Sequence, residues 1–146
     1  MSKGNTFEND LLLLLFNNTN IANVGDATGV RGSSTAGSLY VSLHTGDPGE
    51  AGDQTTSEAT YTSYARVAVA RSGAGWTVSG NAVTNAAEIA FPAATGGSNT
   101  ITHFAIGTSS SGAGKILYKG ALSASVAVSS GITPKFAAGE LDGTED

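Results

Sequence analysis

From Leu39 onward, apolar and polar residues alternate with period two, the spacing of a strand with one face inward. Leu39, Val41 and Leu43 share one face, and Tyr40, Ser42 and His44 the other. Ala65, Val67 and Val69 stand against Tyr64, Arg66 and Ala68. Short strands are also expected at Trp76–Val78, around Val83, at Ile89–Phe91 ended by Pro92, at Ile101–Ile106, at Lys115–Tyr118 and at Leu122–Val128. Ile132 and Phe136 bracket Pro134 on an expected edge strand. Turn signals such as Gly80-Asn81, Gly96-Gly97-Ser98-Asn99 and Gly112-Ala113-Gly114 separate them. The pattern predicts an all-β chain, an antiparallel β-sandwich or jelly-roll-like domain of about seven to eight short strands.

Before Leu39 the pattern changes. Residues 5–16 read as one helix, with Asn5 as cap and Glu8 reaching back three residues later. Leu11, Leu12, Leu13, Leu14, Leu15 and Phe16 make it apolar all round, so most of its surface is expected to be covered. Two readings follow: the helix plugs the end of its own core, or it docks on a neighbouring subunit. Asn17–Ser38 carries no sustained period and reads as an extended connection with a turn at Gly25-Asp26. The stretch from Glu140 has four acids in seven residues and is expected to be mobile. The organisation predicted is an N-terminal helix and arm over 1–38, a β domain over 39–139 and an acidic tail over 140–146.

Composition sharpens this picture. The chain has 146 residues, enough for one buried core, and 40% are hydrophobic. Only 13% are charged, against ~25% in ordinary domains, and 20 are Gly. Such a neutral surface suits permanent contacts, because burying a charge costs desolvation unless it is paired. The net charge of −5 and the scattered Lys3, Arg31, Arg66, Arg71, Lys115, Lys119 and Lys135 argue against nucleic acid, which needs a basic face. With no Cys there is no disulfide framework and no thiolate metal site. The apolar run Leu11–Phe16 is far shorter than the ~20 residues a bilayer needs, and Glu8 and Asp10 after Lys3 fit no secretion signal. No membrane contact is expected.

Candidate chemistry is sparse. Ser42, His44 and Asp47 superficially suggest a nucleophile, base and acid, but they are close neighbours in sequence, and abundant Ser makes chance the simpler reading. Asp47, Glu50, Asp53 and Glu58 form an acidic loop that lacks the spacing of an EF-hand and reads as a solvated turn. It is also a candidate to pair with Arg66 or Arg71 of a neighbouring copy. Gly25-Asp26-Ala27-Thr28-Gly29 and Gly112-Ala113-Gly114-Lys115 miss the phosphate-loop spacing. No catalytic residue, cofactor or metal is expected.

Several short motifs, taken in order, resemble a family of small virion structural proteins of tailed bacteriophages, often labelled tail fibre proteins. They are Asn9-Asp10-Leu11, Phe16-Asn17, Leu43 to Gly52, Tyr64-Ala65-Arg66-Val67, Phe91-Pro92-Ala93-Ala94, His103 to Gly107 and Gly131-Ile132-Thr133-Pro134. The resemblance implies a non-enzymatic virion component made in the host cytoplasm and placed on the particle surface. Its implied partners are major capsid or tail proteins and copies of itself, in a symmetric oligomer that is by analogy a trimer. Long fibres gain length from coiled-coil or β-helical repeats, which this chain lacks. The expectation is therefore capsid decoration, with a tail fibre, tail-tip or collar part contributing to host attachment as the alternative. The expected partner interface is Leu11, Leu12, Leu13, Leu14, Leu15, Phe16, Arg66 and Arg71.

Overall fold

The computed structural model describes residues 3–26, 29, 30, 32 and 34–145, so Ala27, Thr28 and Arg31 lie outside the described residues. The chain is all-β with one short N-terminal helix, in antiparallel ladders. It divides into two compact units: residues 1–38, 69–88 and 136–146 form the first, and residues 39–68 and 89–135 the second.

In the first unit, α1 (Asn5–Asn17) starts one residue earlier than a capping box would place it. Gly4 is the cap, without a side-chain bond, and Asn5 is already helical. Gly4 O accepts from Glu8 N at 3.1 Å, which opens the helical ladder. Asn18 ends the helix in the left-handed region at φ 56, where Asn is tolerated better than most residues, and its N–H bonds back to Leu13 O. The connection after it holds a hairpin, β1 (Ile21–Asp26) and β2 (Gly29–Val30), closing with Asp26 opposite Gly29, just past the expected turn.

Helix α1 packs on the sheet built from β5 (Trp76–Ser79) and β6 (Ala82–Asn85). These two strands turn at Gly80-Asn81, where Gly80 at φ +61 supplies the positive angle a tight hairpin needs. The third strand is β11 (Asp142–Thr144), paired with β6 from Asp142 opposite Thr84 to Thr144 opposite Ala82. The acidic end is thus a paired strand where composition predicted mobility. Leu141 is buried, and the buried Asn85 side chain accepts from Leu141 N and donates to Ala137 O and Ala87 O. Lys3 and Glu145 add an ion pair at 3.0 Å.

The second unit holds most of the sheet ordered β4 (Val67–Ala70), β3 (Ser38–His44), β8 (Ser98–Gly107) and β9 (Ile116–Ser129). Strand β3 runs from Tyr40 opposite Gly107 to His44 opposite His103. Strands β7 (Ile89–Ala90) and β10 (Lys135–Phe136) form a separate two-stranded ladder. The unit's core gathers Leu39, Val41, Leu43, Tyr61, Phe91, Ile101, Ala105, Ile106 and Val128. Two segments expected as separate strands, 115–118 and 122–128, are one strand, β9. The joint is irregular: Val126 pairs with Ile101 and Ala121 with His103, so residues 122–125 face Thr102 alone. Phe104 lays its ring over Gly120, where a side chain would collide with it.

Candidate functional site

The alternation along β3 predicts a wet face for Tyr40, Ser42 and His44, but Ser42 and His44 have no exposed surface. The loop after β3 folds back across that face. Ala59 N donates to Leu43 O and Thr45 N to Ser57 O, both at 2.8 Å, so the loop pairs with the strand it covers. Gln54, also fully buried, is its central polar residue. Its amide nitrogen donates to Tyr40 O at 3.1 Å, and its oxygen accepts from Ser109 N at 3.1 Å. A Cβ on Gly107 or Gly114 would run into that carboxamide, which explains glycine at both places.

His44 holds the same loop. Its Nδ1 lies 2.8 Å from Thr56 O, an acceptor only, so Nδ1 carries the proton. Nε2 then accepts from the Ser42 hydroxyl at 2.9 Å. This is the nucleophile–base half of the suspected triad, formed by two side chains that have no exposed surface. Asp47 does not complete it, because its carboxylate bonds Gly49 N and Lys119.

Burial pushes the His44 imidazole below its ordinary range, and Arg66 adds to this, while the Thr56 carbonyl and Glu58 oppose it. The unfolded chain takes up this proton near pH ~6.5, while the folded chain resists it. Stability is therefore full above that pH and falls as pH drops toward the lower folded value, by up to ~1.4 kcal/mol per pH unit. The thermal midpoint of the wild type is expected to drop between pH 7.5 and pH 5, and that of His44→Gln to drop less. Equal drops would remove His44 as the cause. Asp47 and Asp53 titrate in a separate, more acidic window. Gly49 N–H and Lys119 hold Asp47 below the usual carboxylate range, and the Thr55 hydroxyl and N–H do the same for Asp53.

The loop's return is fixed by a buried ion pair. Arg66 forks onto Glu58, with Nε to Oε1 at 2.6 Å and Nη2 to Oε2 at 2.8 Å. Its remaining donors go to Ser109 O at 3.0 Å and Gly112 O at 2.8 Å. The Tyr64 hydroxyl donates to Glu58 at 3.0 Å and accepts from Leu43 N at 3.1 Å. Burial pushes the Tyr64 phenol up, so it stays a donor. Tyr64 stacks on Phe91, with centroids 6.4 Å apart and planes 10° apart.

The four acids of the loop therefore serve three different tasks. Asp47 and Glu50 hold the Lys119 ammonium at 3.0 and 3.1 Å. Asp53 caps its own turn by accepting from Thr55 N at 2.7 Å. Glu58 belongs to Arg66. Among the described residues, no group of three or more His, Asp or Glu is arranged to hold a metal ion.

The expected interface residues fall on both sides of the surface. Leu12 and Phe16 are fully buried in the first unit, whereas Leu11, Leu13, Leu14 and Leu15 are half-buried. The helix places Glu8, Leu12 and Phe16 on one face, four residues apart, and that face meets the core. Arg66 is occupied by Glu58 of its own chain. Arg71 donates to Leu15 O and Leu14 O, both at 2.7 Å, and to Ala36 O at 3.0 Å. It neutralises the negative end of α1 where the last carbonyls lack helical partners. Sequence reading passed over Gln54 and Asn85, since a lone amide carries no signal until it is seen to be buried.

Over residues 3–144, nearly its whole length, the chain matches the family described as Podophage GP4 fiber I protein gp80. No curated protein matches it. Among the described residues, no helix is long and apolar enough to cross a membrane.

Proposed function

The chain belongs to the Podophage GP4 fiber I protein gp80 family, a phage fibre-type structural protein, and we propose that it serves without catalysis as a building unit of a tail appendage. The family match carries this reading. Its own polar chemistry agrees: Ser42, His44, Gln54, Glu58 and Arg66 spend hydrogen bonds on holding the loops after β3 and β8 in place. Its partners in this reading are other virion proteins and further copies of itself, on the particle surface. With 13% charged residues, little desolvation opposes such permanent contacts.

Capsid decoration is the second reading. It is favoured by the absence of any elongating repeat in the sequence, since a unit of this kind covers a surface rather than spanning a distance. Antibody against the purified chain, gold-labelled on intact particles, separates the two. Label on tail appendages is the expected result. Label spread over the capsid facets would replace the fibre reading with decoration.

A further inference from the structure

Strand β9 ends its sheet, so among the described residues one edge of its 14 residues has no neighbouring strand. Sheet edges are normally guarded by charge, Pro or brevity, because unpaired N–H and C=O groups template another strand. From Gly120 to Ser129, β9 has no charge and no Pro. Ser123, Ala124, Ser125 and Ala127 are exposed, and Val126 keeps 39% of its surface in solvent. Nearer its start, a cleft of about 300 Å³ is lined by Ile116, Leu117, Tyr118 and Lys119 opposite Gly49, Glu50 and Gly52. Successive strand side chains point to opposite faces, so a cleft touching four consecutive residues lies along the strand's edge. A cleft bounded by the 49–52 loop therefore flanks the first four residues of the edge, and the stretch from Gly120 on is uncharged and mostly exposed.

We infer that the free edge of β9 receives the β9 of a second copy, antiparallel about a two-fold axis at Ala124, so that the two sheets join. This rests on the self-association within the proposed function and names its surface. The sequence is its own complement in that register. Leu122 meets Val126, Ala121 meets Ala127, Gly120 meets Val128 and Lys119 meets Ser129. Ser123 meets Ser125, the other pairs from Gly120 to Val128 are apolar, and the one cation on β9 never meets its own copy. The irregular stretch 122–125, where β9 leaves regular register with β8, falls on the axis in both copies. A cyclic trimer, expected by analogy with particle-surface proteins, would instead need β9 to join a different strand head to tail.

The test uses the full chain. Light scattering of the wild type is expected to give the mass of two copies. Ala124→Lys and Ala124→Glu each place like charges face to face across the axis, at an exposed position that leaves the fold intact by circular dichroism. Each is expected to weaken association at least about tenfold, and mixing the two to restore the dimer. Because the chain has no Cys, Ala124→Cys reports proximity cleanly and is expected to oxidise to a linked dimer, whereas Ser110→Cys on an exposed turn is not. A monomeric wild type would remove self-association itself. Three copies, or an oligomer that both charge variants leave unchanged and Ala124→Cys fails to link, would remove only the β9 edge.

Discussion

Arg66→Met is expected to lower the free energy of unfolding by about 3–5 kcal/mol, the usual cost of stripping one partner from a buried ion pair. The Arg66 side chain is 2% exposed and donates four hydrogen bonds. Without it, Glu58 is a largely covered carboxylate left with the Tyr64 hydroxyl, and Ser109 O and Gly112 O lose their donor. Domains of this size hold about 5–15 kcal/mol in all, so the loss takes a large share of the margin. Lys in place of Arg reaches only part of the set, because one ammonium cannot fork onto a carboxylate and also span two carbonyls. Denaturant titration measures the loss. Pairing Arg66→Met with Glu58→Leu is expected to cost less than the sum of the single changes, since no charge is then left unpaired. An Arg66→Met cost below ~1 kcal/mol would mean that the fork is open to water and that something else fixes the loop.

Phe16→Ala is expected to cost a similar ~3–5 kcal/mol, here through lost burial and the cavity left behind. Phe16 is fully buried and meets Trp76 edge to face at 5.0 Å. Trp76 is the chain's sole tryptophan and is 1% exposed, so its fluorescence reports the first unit alone. The variant's emission is expected to shift to the red, as water reaches the indole, at lower denaturant than in the wild type. The same geometry bears on truncation. Removing residues 1–18 takes Leu12 and Phe16 from the core as well as any docking surface, so the first unit is expected to unfold with it. Unchanged Trp76 emission in Phe16→Ala would mean that α1 packs elsewhere and would restore it as a free arm.

These two residues also show where sequence reading succeeds and where it stops. Period-two alternation locates most strands because side chains on a strand point alternately to its two faces. Five Leu in a row locate α1 within one residue of its observed end. What alternation does not reveal is which polar face will be covered. Ser42 and His44 sit in the polar phase of β3, yet they are core residues because a loop twelve residues on returns over them. That return depends on Gln54, Glu58 and Arg66 meeting across long separations, and no local spacing encodes it. The β1–β2 hairpin was hidden for another reason. Asn23, Gly25, Asp26 and Gly29 are of weak strand-forming types, and pairing holds them where propensity does not. Asp142–Thr144 likewise become a strand through the ladder with β6 and the Asn85 clamp, although their composition resembles that of a loose end. The family resemblance was legible because its motifs fall on the elements that close this architecture. Gly107 borders Gln54, and Arg66 and Tyr64 grip Glu58.

A fibre-type structural part of a phage particle is built into every virion. Quantitative mass spectrometry of purified virions tests it most directly, by counting copies of the chain against the major capsid protein. The account predicts a fixed, small number per particle, in step with the tail appendages. A chain present in the infected cell but missing from the purified virion would contradict it.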